Sequence, residues 1–260
     1  MTDFDERFRR VLERRYGTLS RLADAPATKP ELVNELERSR STVDRAIDDL
    51  TDIDCVTAEN GQYRATTTGR LALREQTHYR EAAHAVQETT DLVNHLPADT
   101  ALDVRLLDGA TVTMAADHAP DQALVPTIDI FEQATRLRGL APVVLNLYPD
   151  LISKRLAESD LTVEIVAESD VLSTLPDIPS LSDESLSDMD DLTLHESDGA
   201  LPYALWLMDT PDESYAGITV YETGGVAGVL VNDADSAVQW AQAQYEHYRE
   251  NARPVSVPDM

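Results

Sequence analysis

Through the first fifty positions apolar residues recur at steps of three and four, a spacing that predicts three consecutive helices. Phe4, Phe8, Val11, Leu12, Tyr16, Leu19 and Leu22 share one face of a helix over residues 3–24, which Pro26 stops. Thr28-Lys29-Pro30-Glu31 opens the second helix. Thr28 suits the N-cap, and Pro30 falls in the first turn, where a missing N–H costs nothing. Leu32, Val33 and Leu36 are its buried face. After a turn at Glu37-Arg38, Ser39–Leu50 reads as a third helix with Val43, Ala46, Ile47 and Leu50 inward. The period then drops to two. Cys55–Glu59 and Gln62–Thr66 read as strands around Asn60-Gly61, a strong hairpin-turn signal. Three helices and a hairpin predict a winged helix-turn-helix over residues 1–69, with Cys55 packed between the third helix and the wing.

Thr67-Thr68-Gly69-Arg70 starts a long helix that ends before Pro97. Its apolar stripe, from Leu71 and Leu73 through Val86 to Leu92 and Leu96, is imperfect. Residues 70–96 are therefore read as a linker helix that pairs with its twin in a homodimer, or else packs on its own second domain. From residue 97 to 260 the texture is α/β, so the fold class is α+β. Asp103–Leu107 and Thr111–Ala115 are expected to pair as strands around Asp108-Gly109. Ile128–Arg138 reads as a helix that Gly139 ends as a C-cap, followed by a strand over Leu140–Leu147. Pro149–Glu158 is a short helix, and Leu161–Val166 is apolar enough for a buried parallel strand. Residues 168–198 are expected to form short helices and exposed loops. Strands follow at Leu201–Met208, Ala216–Tyr221 and Val226–Val231, and a helix over Ser236–Asn251.

Charge sharpens this division. Forty-eight acidic residues face 21 basic ones, a net of −27. Only Lys29 and Lys154 are lysines. Residues 1–90 hold 14 basic and 17 acidic groups, whereas residues 91–260 hold 7 and 31. The basic groups thus concentrate in the half with the helix-turn-helix pattern, as a DNA-facing domain joined to an acidic partner domain requires. An acidic, lysine-poor composition resembles that of cytoplasmic haloarchaeal proteins, where salt of about 1 M cuts the Debye length to about 3 Å. No run of 18 apolar residues and no apolar leader occurs, so neither a membrane span nor a secretory signal is expected. The lone Cys55 excludes an intramolecular disulfide framework and fits a cytoplasmic protein.

A helix fits the major groove of B-DNA, and its first turn must present donors to bases and phosphates. Ser39, Arg40, Ser41, Thr42 and Arg45 supply those donors, with Arg40 or Arg45 suited to guanine and Ser41 and Thr42 to the DNA backbone. Arg64 on the wing is placed for phosphate or the minor groove. Asp44, Asp48 and Asp49 work against this, and a winged helix used for protein contact is the plainer alternative. Elsewhere the signals dissolve. His78, His84, His95, His118, His195 and His247 have no metal-ligand spacing, Gly224-Gly225 reads as a hairpin, and the Asp183–Asp191 run reads as a solvated loop. No catalytic residue, metal or cofactor is expected.

Several stretches together carry a resemblance: Arg138-Gly139-Leu140, Tyr148-Pro149, the strand over residues 161–166, the segment over residues 201–209, Gly224-Gly225 and the closing helix. With the winged helix, they resemble the archaeal regulators that carry a FilR-type, methanogenesis-regulator-like domain. That resemblance implies a transcription regulator whose second domain senses a small molecule or signal. The same region resembles a degenerate phospholipase-D-like half-domain, whose catalytic pattern is His-x-Lys, four residues, then Asp. Aligned on Asp209, the pattern meets Pro202 and Ala204 where histidine and lysine belong, so phosphodiesterase chemistry is not expected. The leading expectation is a sequence-specific regulator of double-stranded DNA with a small-molecule effector. The alternatives are a DNA-tethered phosphodiesterase or nuclease and a sequence-indifferent chromatin protein. Tyr148, Tyr203, Trp206 and Tyr221 are aromatic candidates for the effector cleft, with plain core as the alternative.

Overall fold

The computed structural model describes residues 3–116, 118–144, 147–158, 161–178, 191–222 and 225–255. The chain divides into two compact units, Met1–Ala83 and His84–Met260.

In the first unit, α1 (Asp3–Asp24), α2 (Lys29–Glu35) and α3 (Arg40–Asp52) precede the hairpin β1 (Val56–Glu59) and β2 (Gln62–Ala65). The helix α4 (Thr67–Val93) begins here. At 7 residues α2 is too short to hold itself, so its ends and its buried Leu32 must do so. Thr28 caps it reciprocally with Glu31: the Thr28 N–H donates to Glu31 Oε2 (2.7 Å), and the Glu31 N–H donates to Thr28 Oγ1 (3.5 Å). The Thr28 N–H, joined by the Thr28 hydroxyl donating to the same Oε2 at 2.8 Å, holds the Glu31 carboxyl below its ordinary range. Leu19, Leu22, Leu32, Leu50 and Cys55 form the centre of the core. Burial pushes the Cys55 thiol up to about 11, so it packs as a small hydrophobe and is not a nucleophile. Asn60 and Gly61 both take positive φ (52° and 78°), as the tight turn of a two-residue hairpin demands.

The second unit is built on one eight-stranded sheet. Its strands are β3 (Thr111–Met114), β4 (Arg136–Ala141), β5 (Thr162–Ala167), β6 (Leu192–Glu196), β7 (Ala204–Asp209), β8 (Ser214–Glu222), β9 (Gly225–Asn232) and β10 (Arg253–Val255). Their order is β10-β6-β5-β4-β7-β8-β9-β3. The β4–β5 and β5–β6 pairs are parallel and the rest antiparallel. Because side chains alternate along a strand, each strand feeds both faces. Leu205, Leu207, Ala216, Ile218 and Leu230 pack beneath α5 (Val104–Leu107) and α9 (Asp235–Asn251). Leu137, Val163, Trp206, Met208 and Val229 occupy the opposite face. There they meet α6 (Val125–Phe131) and α7 (Leu147–Glu158), and α8 (Ser169–Thr174) adjoins on Val171 and Leu172. No helix among the described residues is long and apolar enough to cross a membrane.

Several sequence expectations are corrected. Val104–Leu107 is a helical turn, not a strand, because the Asp103 carboxylate caps it by accepting from the Arg105 N–H at 2.9 Å. Asn232 Nδ2 holds the turn in place by donating to the carbonyls of Leu106 (2.9 Å) and Asp108 (2.8 Å). β3 accordingly pairs with β9 rather than with residues 103–107. The helix expected over Ile128–Arg138 stops at Phe131, and Arg136–Ala141 is the strand expected at Leu140–Leu147. Gly139 is not a helix cap but a mid-strand residue. A Cβ there would stand 3.1 Å from the Leu205 carbonyl oxygen and 3.2 Å from Ile165 Cδ1. Residues 192–196, expected to be loop, are the strand β6. Leu145, Gly224 and the acidic run before Asp191 lie outside the described residues.

One buried group gives this unit a pH dependence. His195 is 1% exposed on β6 and faces Glu164 of β5 (Nε2 to Oε1, 3.3 Å) and Arg249 of α9. Burial lowers its pKa from the ordinary 6.5, the Arg249 charge adds to that, and Glu164 opposes both. The folded imidazole therefore stays neutral where the unfolded chain already takes a proton. Its contribution is complete above the unfolded pKa and is lost as pH falls through the lower folded value. Between about pH 7 and pH 5 the urea midpoint of His195→Asn is expected to fall less than that of the parent chain. Parallel slopes would remove His195 from the account.

Candidate nucleic-acid interface

The α2–α3 corner is set by local backbone chemistry. Glu37 adopts a left-handed conformation (φ 51°), and the Arg38 N–H donates to the Val33 carbonyl at 3.2 Å, closing the end of α2. Ser39 then caps α3, accepting from the Thr42 N–H at 3.3 Å. The Ser39 hydroxyl also meets those of Ser41 (3.1 Å) and Thr42 (2.8 Å). The three hydroxyls thus form one exposed cluster at the helix start, and Ser39 is partly committed to capping.

All five residues predicted on this helix lie exposed: Ser39, Arg40, Ser41, Thr42 and Arg45. Val43, Ala46, Ile47 and Leu50 are buried beneath them. Neither Arg40 nor Arg45 makes a salt bridge among the described residues. The first turn of α3 therefore presents a positive helix end, uncommitted guanidinium groups and hydroxyls to solvent, a set suited to phosphate and base edges.

The carboxylates that seemed to oppose this are mostly held elsewhere. Asp44 pairs with Lys29 Nζ at 2.6 Å, Asp49 with Arg15 Nη2 at 2.8 Å, and Asp52 with Arg7 Nη2 at 2.7 Å. Lys29 keeps the Asp44 carboxyl below its ordinary range, mainly through their hydrogen bond. Asp48 stays exposed and makes no salt bridge among the described residues. Lys29, Arg15 and Arg7 were not legible as part of the site. Their partners lie on another helix, beyond the reach of a one-helix pattern. Lys29 also stands 5.7 Å from the centre of the Tyr63 ring, so it joins the start of α2, α3 and β2. Tyr63 is itself bonded to the chain before α2. The Ala27 N–H donates to the Tyr63 carbonyl at 3.0 Å, and the Tyr63 N–H donates to that of Ala27 at 2.8 Å.

Arg64 lies on β2 opposite Thr57, exposed, with Nη2 2.9 Å from Glu59 Oε2. An exposed pair of this kind contributes about 1 kcal/mol or less, so a phosphate can displace the carboxylate. Geometry brings Arg64 into the same compact unit as the α3 residues.

In the second unit, Asp209 ends β7 with Oδ1 accepting from Ser214 Oγ at 2.7 Å and Oδ2 from Arg138 Nη2 at 3.2 Å. These bonds tie β4, β7 and β8 together and occupy both carboxylate oxygens. No group of three or more His, Cys, Asp and Glu residues among those described is placed to hold a metal ion. Of the four aromatic cleft candidates, Tyr148, Trp206 and Tyr221 line one cavity. Tyr203 sits on the opposite sheet face, its ring 6.4 Å from that of Trp240.

Residues 4–88 match the family model described as the HVO_A0261 N-terminal domain. No curated protein matches the chain. Among solved structures, the archaeal chromatin protein TrmBL2, described as showing a novel mode of DNA binding, is similar at 14% identity and a TM-score of 0.43, with 93% of this chain and 92% of that one covered. NucT from Helicobacter pylori is similar at 10% identity and a TM-score of 0.44, over 56% of this chain and 98% of that one. Nuc from Salmonella typhimurium, a phospholipase D family member, is similar at 14% identity and a TM-score of 0.41, over the same shares. Residues 120–251, just over half of the 260, match the model described as methanogenesis regulatory protein FilR1, middle domain, and the chain belongs to that family.

Proposed function

We propose that the protein is a sequence-specific, double-stranded-DNA-binding transcription regulator whose first unit is a winged helix-turn-helix and whose second unit senses a ligand or signal. The observation that carries the reading is the exposed start of α3. Arg40, Arg45 and three hydroxyls are presented there, while Asp44, Asp49 and Asp52 are each bound to a cation of their own unit. The regulatory description of the matched family supports the same reading. In this account α3 enters the major groove, the α3 arginines read bases, and Arg64 on the wing holds phosphate. The net charge of −27 suits a cytoplasm of about 1 M salt, where self-repulsion is screened.

The working form is a homodimer. Leu71 and Tyr79 of α4 are large apolar side chains left exposed, and a second copy of the chain would cover them. No hydrolytic role is assigned to the second unit. Asp209 is held by Arg138 and Ser214, and Pro202 and Ala204 offer neither a nucleophile nor a cation. A phosphate contact and a base contact differ in what their loss does. Arg64→Ala is expected to weaken binding about equally on preferred and unrelated duplexes and to reduce the slope of log K against log salt by about 1. Titrations of both duplexes across a salt series measure this. A loss confined to the preferred duplex would make Arg64 a base reader instead.

A further inference from the structure

The two edges of the eight-stranded sheet are built differently. β10 ends one side with Arg253 and Pro254, and Arg253 Nη2 is held 2.6 Å from Glu196 Oε2. A proline has no N–H to offer a further strand and a charged side chain deters one, so this edge is closed to addition. β3 ends the other side as Thr-Val-Thr-Met, in unbroken register with β9. From Ala110 to Ala116 the chain carries no proline and no ionisable group. In a sequence that is 27% charged, this edge is left without protection.

The register shows what the edge presents. The Ala115 N–H donates to the Ala227 carbonyl at 2.8 Å, and Thr113 and Thr111 lie opposite Val229 and Val231 in the same phase. Bonding alternates along an antiparallel pair, so the N–H and C=O groups of Val112 and Met114 point away from β9. No strand among the described residues meets them, and the Met114 side chain beside them is 40% exposed. The edge is firmly seated. A Cβ at Gly228 would stand 2.7 Å from the Thr113 carbonyl oxygen and 2.8 Å from Leu92 Cδ1, so glycine is what lets β3 and α4 lie this close to β9.

We infer that β3 is a self-association edge that pairs antiparallel with β3 of a second copy, Val112 opposite the partner's Met114 and Thr113 opposite the partner's Thr113 on the two-fold axis. The register follows from the free groups. Val112 and Met114 exchange both N–H···O bonds with each other across the axis, and the two threonines form a favourable cross-strand pair. Two observations choose a second copy as the occupant. Residues 91–260 hold 31 acidic groups against 7 basic ones, and a copy of Ala110–Ala116 brings no carboxylate to the contact. Two-fold pairing also uses both free edges at once and leaves a blocked β10 edge at each end of the joined sheet, so assembly stops at two. This contact belongs to the second unit and is separate from the exposed face of α4 in the first.

Cysteine cross-linking of the full-length chain, at about 100 µM in potassium chloride of about 1 M, tests it. The native Cys55 is buried, and the parent chain serves as the blank. Directly opposed residues of a non-hydrogen-bonded pair stand about 4.5 Å apart at Cα, within reach of a disulfide. Thr113→Cys is therefore expected to give a covalent dimer under mild oxidation. Thr111→Cys and Ala115→Cys are each expected not to, because either would lie about 13 Å from its twin. An equal mixture of those two variants should cross-link again. Hydrogen exchange gives a readout without new thiols: in the parent chain the amides of Val112 and Met114 should exchange about tenfold more slowly at about 100 µM than at about 1 µM. Thr113→Lys, which opposes two like charges on the axis, should remove that difference while the melting transition is retained. No dimer from Thr113→Cys, equal cross-linking at all three positions, or amide protection that does not change with concentration would each overturn the proposal.

Discussion

Arg40→Ala and Arg45→Ala are each expected to weaken binding to the preferred duplex by about 1–3 kcal/mol, roughly 10- to 150-fold, while affinity for an unrelated duplex falls much less. The asymmetry follows from the geometry of α3. Both guanidinium groups are exposed above a face fixed by Val43, Ala46, Ile47 and Leu50, so removing them leaves the helix in place. Neither is engaged in a salt bridge among the described residues, so the substitution orphans no ion-pair partner there. Lysine at either position keeps the charge but not the planar fork that matches guanine. Arg40→Lys and Arg45→Lys should thus recover the unrelated duplex fully and the preferred duplex only in part. Anisotropy titrations with both duplexes at one fixed salt concentration measure the split. Equal losses on both duplexes would demote the arginine to a phosphate contact.

Gly69→Ala is expected to destabilise the first unit by about 2–3 kcal/mol, the opposite of what helix propensity alone predicts. In an open helical turn the change gains up to about 1 kcal/mol. At Gly69 the new Cβ would stand 2.1 Å from the Cys55 carbonyl oxygen and 2.9 Å from its carbon. Those are backbone atoms, so no side chain can swing aside. The same carbonyl accepts from the Thr66 N–H at 3.0 Å, and the Cys55 N–H donates to Leu50 at 2.9 Å. Relief of the clash would therefore disturb the junction of α3, β1 and α4. Gly17→Ala on α1 is the control, because a Cβ there meets nothing within 4 Å and should be neutral or stabilising. Denaturant midpoints of the two variants should move in opposite directions. A stabilised Gly69→Ala would show that α4 does not press on Cys55.

The difference between what could and could not be read in the sequence follows the range of the forces. α1, α2 and α3 were legible because each puts apolar residues at helical spacing on one face, while Thr28 marks the start of α2 and Asn60-Gly61 the hairpin turn by purely local chemistry. Gly139 misled for a long-range reason. A glycine after an amphipathic stretch normally ends a helix, and only the close approach of β5 and β7 explains one in mid-strand. Residues 192–196 were hidden because His195 is a buried polar residue on an edge of the parallel segment. The strand over Asp103–Leu107 was a wrong choice of period in a five-residue segment, where Asp103 decided for the helix. The exposed donors at the start of α3 were legible as a set. What neutralises Asp44, Asp49 and Asp52 was not, since Lys29, Arg15 and Arg7 reach them only through tertiary packing. Tyr148, Trp206 and Tyr221 could be named as candidates, but nothing local separated them from Tyr203, which packs on the other side of the sheet.

Selection of bound sequences from a random duplex pool, in potassium chloride of about 1 M, separates an α3 that reads bases from one that only holds phosphate. A base-reading homodimer is expected to enrich a defined sequence arranged as an inverted repeat, with half-sites about one helical turn apart or a multiple of it. A folded protein that retains duplexes without enriching any sequence, or retains none at any salt concentration, would contradict it.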